Sequence, residues 1–332
     1  MENKYKNIKP LVIGLGLAGN RHLKAQLDLG IKTGVYSINP KTTNPLKKQS
    51  NVIVFDNLED AINWSSLVHV CTPDDKHTKY IALALKKGKA VLCEKPFTTN
   101  LQDALDLQEL SRKYGSTLIV GQNYRLTPTF AETKKRLLEG DLGTVTAIET
   151  TYLHDMTKYR MGTKWRNMQD FLYVGGSHAV DLACWVMNEK VVSVQANVGN
   201  KVRAEYDCHE RYQIILKFES GVLGHIALDA SSARFINGSD LIVDGKNGQL
   251  AGHIKDNKLM FYRKGDKKPE LIKLPNTQTY TTALEVKILD DYLSGNATSY
   301  LPLPNVDEAV HVIKVLHAIQ KAVSSGRSES VE

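Results

Sequence analysis

Cysteine is scarce in this chain of 332 residues: there are four, Cys71, Cys93, Cys184 and Cys208. No two are spaced Cys-x-x-Cys and no zinc-ligand spacing occurs, which argues against a metal-stapled or disulfide-stapled fold. The expectation is reduced, mostly buried thiols and no metal. Aromatic residues make up only 7% of the chain. No arginine-rich cluster is interleaved with them, so a nucleic-acid face is not expected. Long apolar runs are missing as well, and nothing reaches the length needed to cross a bilayer. Residues Met1 to Pro10 are polar and lysine-rich, with no apolar signal segment behind them. These features give the expectation of a cytoplasmic protein without a membrane partner. Internal repeats and low-complexity segments are absent too.

Hydrophobic residues at 42% and charged residues at 24% lie near globular averages. The length exceeds what one core usually serves, so two domains are expected. Lys and Arg total 43 against 36 Asp and Glu, a net charge of +7 spread along the chain. That excess weakly favours an anionic ligand, such as a dinucleotide phosphate or a phosphorylated sugar.

The first third alternates short apolar runs with helical patterns. Leu11-Val12-Ile13, Val52-Ile53-Val54, Leu67 to Val70 and Ala90 to Leu92 read as strands, and residues 75–87 and 100–114 as helices stopped by Gly88 and Gly115. Strand–helix alternation predicts a doubly wound parallel sheet. The pattern changes after residue 121. A helix over 128–139 is followed by half-exposed strands at Val145 to Leu153, Tyr212 to Phe218, Val222 to Leu228 and Leu241 to Val243. Helices are expected near 178–187, 283–293 and 306–323. The predicted domains are 1–122 and 123–332.

Leu11-Val12-Ile13-Gly14-Leu15-Gly16-Leu17-Ala18-Gly19 fits a strand followed by G-x-G-x-x-G, with a helix starting near Asn20. Gly14 permits a tight turn, Gly16 lets backbone approach a pyrophosphate, and Gly19 allows close helix–strand packing. The helix N-terminus then faces the phosphate charge. Flanked by both elements, this loop predicts dinucleotide binding. The residue reading the adenosine ribose should close the second strand, about 20 residues on. Residues 33–38 fit that strand, and Asn39 follows Gly14 by 25 positions with no acidic residue there. Lys41 can pair with a 2′-phosphate, Asn39 can bond a free 2′-hydroxyl, or both are turn residues. The balance tilts slightly towards NADP over NAD.

Three passages resemble the Gfo/Idh/MocA family, named for glucose–fructose oxidoreductase and inositol dehydrogenase. The first is Gly14 to His22. The second is Val70-Cys71-Thr72-Pro73-Asp74-Asp75-Lys76-His77 with Gly88 to Pro96, similar to the family's T-P-x-x-x-H stretch and its E-K-P signature. The third is Gly175-Gly176-Ser177-His178-Ala179-Val180-Asp181, similar to a G-S-H-x-x-D helix start. Between them, Gly121 to Arg125 resembles the crossing into the second domain. The resemblance implies an N-terminal Rossmann domain and a C-terminal α/β domain with a large open, mostly antiparallel sheet. It implies an NAD(P)-dependent dehydrogenase or reductase acting on a secondary alcohol of a sugar, sugar derivative or cyclitol. It further implies a homo-dimer or homo-tetramer joined through the open sheet. Thr72, Pro73, His77, Glu94, Lys95, Pro96 and Asn123 would join the glycine loop, with Leu17 and Ala18, in lining the cofactor.

Lys95 follows the run Ala90-Val91-Leu92 and so emerges at the C-terminal end of a strand, where ligands bind in such sheets. An ammonium there can stabilise a developing alkoxide. The family's Lys–Pro bond is commonly cis, which would aim the lysine. His178 opens a short helix, and imidazole suits proton transfer near neutral pH. Asp181 shares its helical face. It binds a substrate hydroxyl, orients His178, or simply sits in the first turn. Many family members carry Asp four residues before the His, whereas Val174 stands here. Asp170 or Asp181 compensates, or Lys95 and His178 suffice. Further candidates for the substrate are Arg125, Tyr152, His154, Asp155, Lys164, Trp165 and Arg166, with Lys164 and Arg166 suited to a phosphate or carboxylate. Two rival readings remain: a reductase of another carbonyl or an imine, and a non-catalytic dinucleotide-binding regulator.

Overall fold

The computed structural model describes residues 5, 7–156, 170–203, 206–232, 238–275, 282–295 and 302–332. The chain divides into two compact units. The first holds Met1–Asn123 and Thr279–Val310; the second holds Tyr124–Gln278 and His311–Glu332.

In the first unit β1 (Pro10–Ile13) leads into α1 (Leu17–Asp28), then β2 (Thr33–Tyr36) and the short α2 (Pro40–Thr43). Next come β3 (Val52–Val54), α3 (Leu58–Trp64), β4 (Leu67–Val70), α4 (His77–Lys86), β5 (Ala90–Cys93), α5 (Leu101–Tyr114) and β6 (Leu118–Val120). The strands form one parallel sheet in the order β3-β2-β1-β4-β5-β6. The apolar runs are continuous because these strands are covered on both faces. Leu11, Val12, Leu67, Val68, Val91 and Leu92 are fully buried, each contributing roughly 1.5–3 kcal/mol. Asparagine caps define two of the helices: Asn57 accepts from Glu59 and Asp60 backbone N–H groups, and Asn100 from Asp103. Gly115, at φ 58°, ends α5 in the left-handed conformation.

In the second unit α6 (Pro128–Leu138) precedes β7 (Val145–Leu153). A π-helical turn, Leu172–Gly176, runs straight into α7 (Ser177–Met187). The rest of its sheet is β8 (Val191–Val198), β9 (Arg211–Phe218), β10 (Leu223–Asp229), β11 (Asp240–Gly245), β12 (Gly248–His253), β13 (Lys258–Arg263) and β14 (Glu270–Lys273). The chain then returns to the first unit for α8 (Thr282–Leu293). The helix α9 (Val306–Ser325) and the edge strand β15 (Glu329–Ser330) finish it. The nine strands run β14-β13-β12-β11-β7-β10-β9-β8-β15. Every pair is antiparallel except β7 with β10. Helices α6 and α7 pack on one face. On the other face the register lines up Leu271, Met260, Ala251, Ile242, Glu149, His225, Ile215 and Gln195 across eight strands.

The two-part α/β architecture is the expected one, with a Rossmann sheet and a larger, mostly antiparallel sheet. Two expectations are corrected. Residues 279–310 do not stay with the C-terminal block: α8 packs on α1, burying Val286 and Leu289. Helix α1 begins at Leu17 rather than near Asn20, because Gly16 already serves as its N-cap.

Candidate functional site

The strand ends of the first unit bring the predicted residues of that unit to one edge of the sheet. Parallel register sets Ile13 beside Val70 and Val70 beside Cys93. Gly14, Cys71 and Glu94 therefore leave the sheet side by side. Gly14 has φ +89°, and a Cβ there would stand 2.8 Å from the Cys71 carbonyl oxygen. A Cβ on Gly19 would collide with the Gly14 carbonyl, whereas one on Gly16 would meet open space. The loop is thus tight on its protein side and open on the other. Thr72 packs its methyl near Gly14, and its buried hydroxyl has no hydrogen-bond partner. It caps no helix. An open glycine backbone, a helix N-terminus and an unmatched hydroxyl fit a dinucleotide pyrophosphate.

Leu17 is exposed beyond the loop. Asn39, past the end of β2, caps α2 by accepting from the Lys41 backbone N–H at 3.1 Å, and the Lys41 side chain is exposed. Pro73 opens a short 3-10 turn. His77 is buried, with Nδ1 2.9 Å from the Pro96 carbonyl and Nε2 2.9 Å from the Thr72 carbonyl. It ties the T-P loop to the segment after β5. Asn123 is half-buried in the 3-10 turn that ends the unit.

Lys95 stands two residues past β5, half-buried, and its bond to Pro96 is cis. Burial pulls its ammonium below the usual lysine range, against the opposing charges of Glu94 and Asp74. Burial would push the Glu94 carboxyl up. The hydrogen bond from His22 and the charges of His22, Lys95 and His77 outweigh it and hold Glu94 below its usual range. Glu94 lies 3.1 Å from His22 Nε2. Glu285 on α8 faces the same region and sits over Gly121, where a Cβ would strike its carboxyl. Burial, then the Glu94 charge, push Glu285 well above the carboxylate range. The two carboxyls are thus driven in opposite directions, Glu94 down and Glu285 up.

In the second unit His178 lies in the first turn of α7 and is buried. Its ring stacks on Tyr124 at 4.3 Å between centroids and lies 5.7 Å from Tyr152, both nearly parallel to it. Tyr152 packs against His154 at 4.3 Å. Gly175 makes room for this stack, since a Cβ there would meet the Tyr152 ring at 2.7 Å. Arg125 and Asp181 join in a buried bidentate pair at 2.9 and 2.7 Å, with Trp185 against the guanidinium. Asp155 pairs with Arg203. Asp170 accepts from the Leu172 backbone N–H, the Tyr212 hydroxyl and Gln320, fixing the start of the π-helical turn. Val174 is buried within that turn. Lys164, Trp165 and Arg166 lie outside the described residues.

Sequence reasoning passed over Tyr124, Glu285, His69, Gln26 and Asp290 as site residues. His69 carried a signal: a histidine inside the otherwise apolar β4, fully buried. No helix among the described residues is long and apolar enough to cross a membrane.

Comparison with known proteins gives a consistent result. The model of the oxidoreductase family with an NAD-binding Rossmann fold matches residues 8–122, and that of the GFO/IDH/MocA C-terminal domain matches 130–251. The uncharacterized oxidoreductase C115.03 of Schizosaccharomyces pombe is 33% identical over 40% of this chain, a match spanning 38% of its own length. The scyllo-inositol 2-dehydrogenase (NADP(+)) IolW of Bacillus subtilis is 26% identical over 99% of this chain and 97% of its own. Levoglucosan dehydrogenase, solved in complex with NADH, superposes with a TM-score of 0.85 at 18% identity, covering 98% of this chain and 99% of that one.

Proposed function

This chain belongs to the Gfo/Idh/MocA oxidoreductase family, and from that premise we infer that it is an NAD(P)-dependent dehydrogenase of a sugar, sugar derivative or cyclitol, acting on a secondary alcohol. The observation that carries this reading is Lys95, set beside ionised Glu94 at the same strand edge as the open glycine loop. Gly14, Gly16 and Gly19, with the N-terminus of α1 and the Thr72 hydroxyl, would hold the dinucleotide. Bound there, the dinucleotide would supply the hydride acceptor for the carbinol carbon. Lys95 Nζ binds the substrate oxygen and stabilises the charge that develops on it. His178 removes the hydroxyl proton, held in its ring plane by Tyr124. The Arg125–Asp181 pair is neutralised internally and steadies the start of α7. The similarity to the scyllo-inositol dehydrogenase supports a cyclitol and supports NADP. The absence of a carboxylate at Asn39 supports NADP as well. Leu271, Met260 and Ile215, exposed on the open sheet face, support a homo-dimer or homo-tetramer.

The test follows reduced-nicotinamide absorbance over sugars, sugar phosphates, nucleotide sugars and cyclitols, with NAD and with NADP. Lys95→Ala and His178→Ala should each lower kcat about a hundredfold or more, with dinucleotide affinity held within a few-fold. Normal turnover in either variant removes that residue from the mechanism. A second reading, a dinucleotide-binding regulator, is favoured by Val174, which puts no carboxylate four residues before His178. Tight dinucleotide binding with no turnover of any alcohol, carbonyl or imine would select it.

A further inference from the structure

A line of buried polar side chains in the first unit leads from Glu94 to α8. His22 Nε2 is 3.1 Å from Glu94 Oε1, and His22 Nδ1 is 3.0 Å from His69 Nδ1. His69 Nε2 is 3.2 Å from Gln26 Nε2, which lies 3.4 Å from Asp290 Oδ1. His22, His69, Gln26 and Asp290 are all buried. Such a line is expensive to bury unless each bond is made. Nothing in the reaction inferred above uses it.

The order of donors has one solution. An amide nitrogen only donates, so Gln26 gives its hydrogens to Asp290 Oδ1 and to His69 Nε2. Burial, then the neighbouring His22, hold His69 well below the histidine range, so its ring is neutral and its proton sits on Nδ1. That proton goes to His22 Nδ1. The remaining His22 proton is therefore on Nε2 and points at Glu94. From Gln26 the donors run through His69 and His22 to the carboxylate beside Lys95, and the second Gln26 hydrogen goes the other way, to Asp290.

We propose that Gln26, His69 and His22 form a positioning relay that keeps Glu94 ionised and oriented beside Lys95, and that protonation of Asp290 reverses it. The functional consequence rests on the dehydrogenase reading; the relay itself does not.

Reversal follows from the same donor rules. A half-turn of the Gln26 amide puts its oxygen where the nitrogen stood, with little change in shape. That oxygen accepts from protonated Asp290 and from His69 Nε2–H. His69 Nδ1 then accepts from His22 Nδ1–H. His22 Nε2 would face Glu94 as a lone pair, so a further proton enters there, on the ring or on the carboxyl. Two protons are taken up together, one at each end. In the first order Gln26 Oε1 and Asp290 Oδ2 have no hydrogen-bond partner, so nothing on that side of the amide pins its orientation.

The groups around each end favour this behaviour. Burial pushes Asp290 up to about 7, opposed by the Gln26 hydrogen bond and reinforced by Asp291. Asp291 is itself held by Lys287 and by the Tyr5 hydroxyl. Glu94 faces His22, Lys95, His77 and Glu285, whose carboxyl is pushed up by burial and the Glu94 charge.

The test reads histidine tautomers in the full chain by NMR on nitrogen-labelled histidine. Above pH about 7 His69 should carry its proton on Nδ1 and His22 on Nε2. On acidification both should change in a single step, and Asp290→Asn should remove that step. The pH profile of kcat should lose the same step in Asp290→Asn. A His69 proton on Nε2 in the alkaline form overturns the relay, and this readout needs no variant. An unchanged step in Asp290→Asn overturns it too. Tautomers are read without turnover, so the stated order in an inactive chain keeps the relay and discards the dehydrogenase. The opposite order in an active chain does the reverse.

Discussion

Position 39 is where a single side chain should set cofactor choice. Asn39 caps α2 through its own Oδ1, and aspartate offers the same acceptor. Asn39→Asp should therefore fold normally. It would place a carboxylate where a 2′-phosphate is expected, and should weaken NADP about tenfold or more relative to NAD, measured as the ratio of kcat/KM. An unchanged ratio would move the ribose site elsewhere. A second prediction concerns His311, whose Nε2 accepts from the Val191 backbone N–H at 3.1 Å. Burial, then Lys190 and Lys314, lower its pKa from 6.5 to about 4. A base depressed on folding adds stability that is present above its unfolded pKa and lost as pH falls through the folded one. Wild-type Tm should decline from pH 6.5 towards 4, and His311→Gln, which keeps an acceptor, should decline less over that interval. At this scale the glycines, Lys95 and His178 could be named as candidates because their signals are local in sequence. Asp290 was not. Its bond to Gln26 closes a gap of 264 positions, and nothing near either residue marks it.

Among the elements, helices with polar caps and glycine stops were read to within a residue or two. α5 shows why. Asn100 holds one end and Gly115 the other, so the boundaries are written in the residues themselves. Asn100→Ala should cost about 1 kcal/mol, read as a lower denaturant midpoint with an unchanged slope. No change in midpoint would mean that packing of Ala104 and Leu107 sets the helix start. Strands were harder. β7 was read correctly from alternation, whereas β12 to β14 were missed because their exposed face is mixed. Met260 and Tyr262 are exposed there beside charged residues. The π-helical turn before His178 was also invisible. It depends on Asp170 binding Tyr212 and Gln320 from distant strand and helix.

The whole molecule is less separable than its sequence suggests. The sequence boundary near residue 122 treated the N-terminal part as self-contained, yet the first unit also holds residues 279–310. Val120 donates its backbone N–H to the Pro304 carbonyl, and Ile119 bridges to Asn305. Glu285 lies over Gly121, and α8 covers α1. A fragment of residues 1–123 should melt well below the intact chain and bind the dinucleotide weakly. Adding a peptide of residues 279–310 should restore part of both, as read by calorimetry and titration. A fragment as stable as the whole would show α8 to be dispensable. The return of α8 also sets a timetable. A ribosome makes the chain from its N-terminus, so the partner for α1 emerges only after residues 124–278 of the other unit. Until then, the nascent first unit presents Gln26 and its apolar neighbours to the cell, and it is completed only after nearly all of the other unit has been translated.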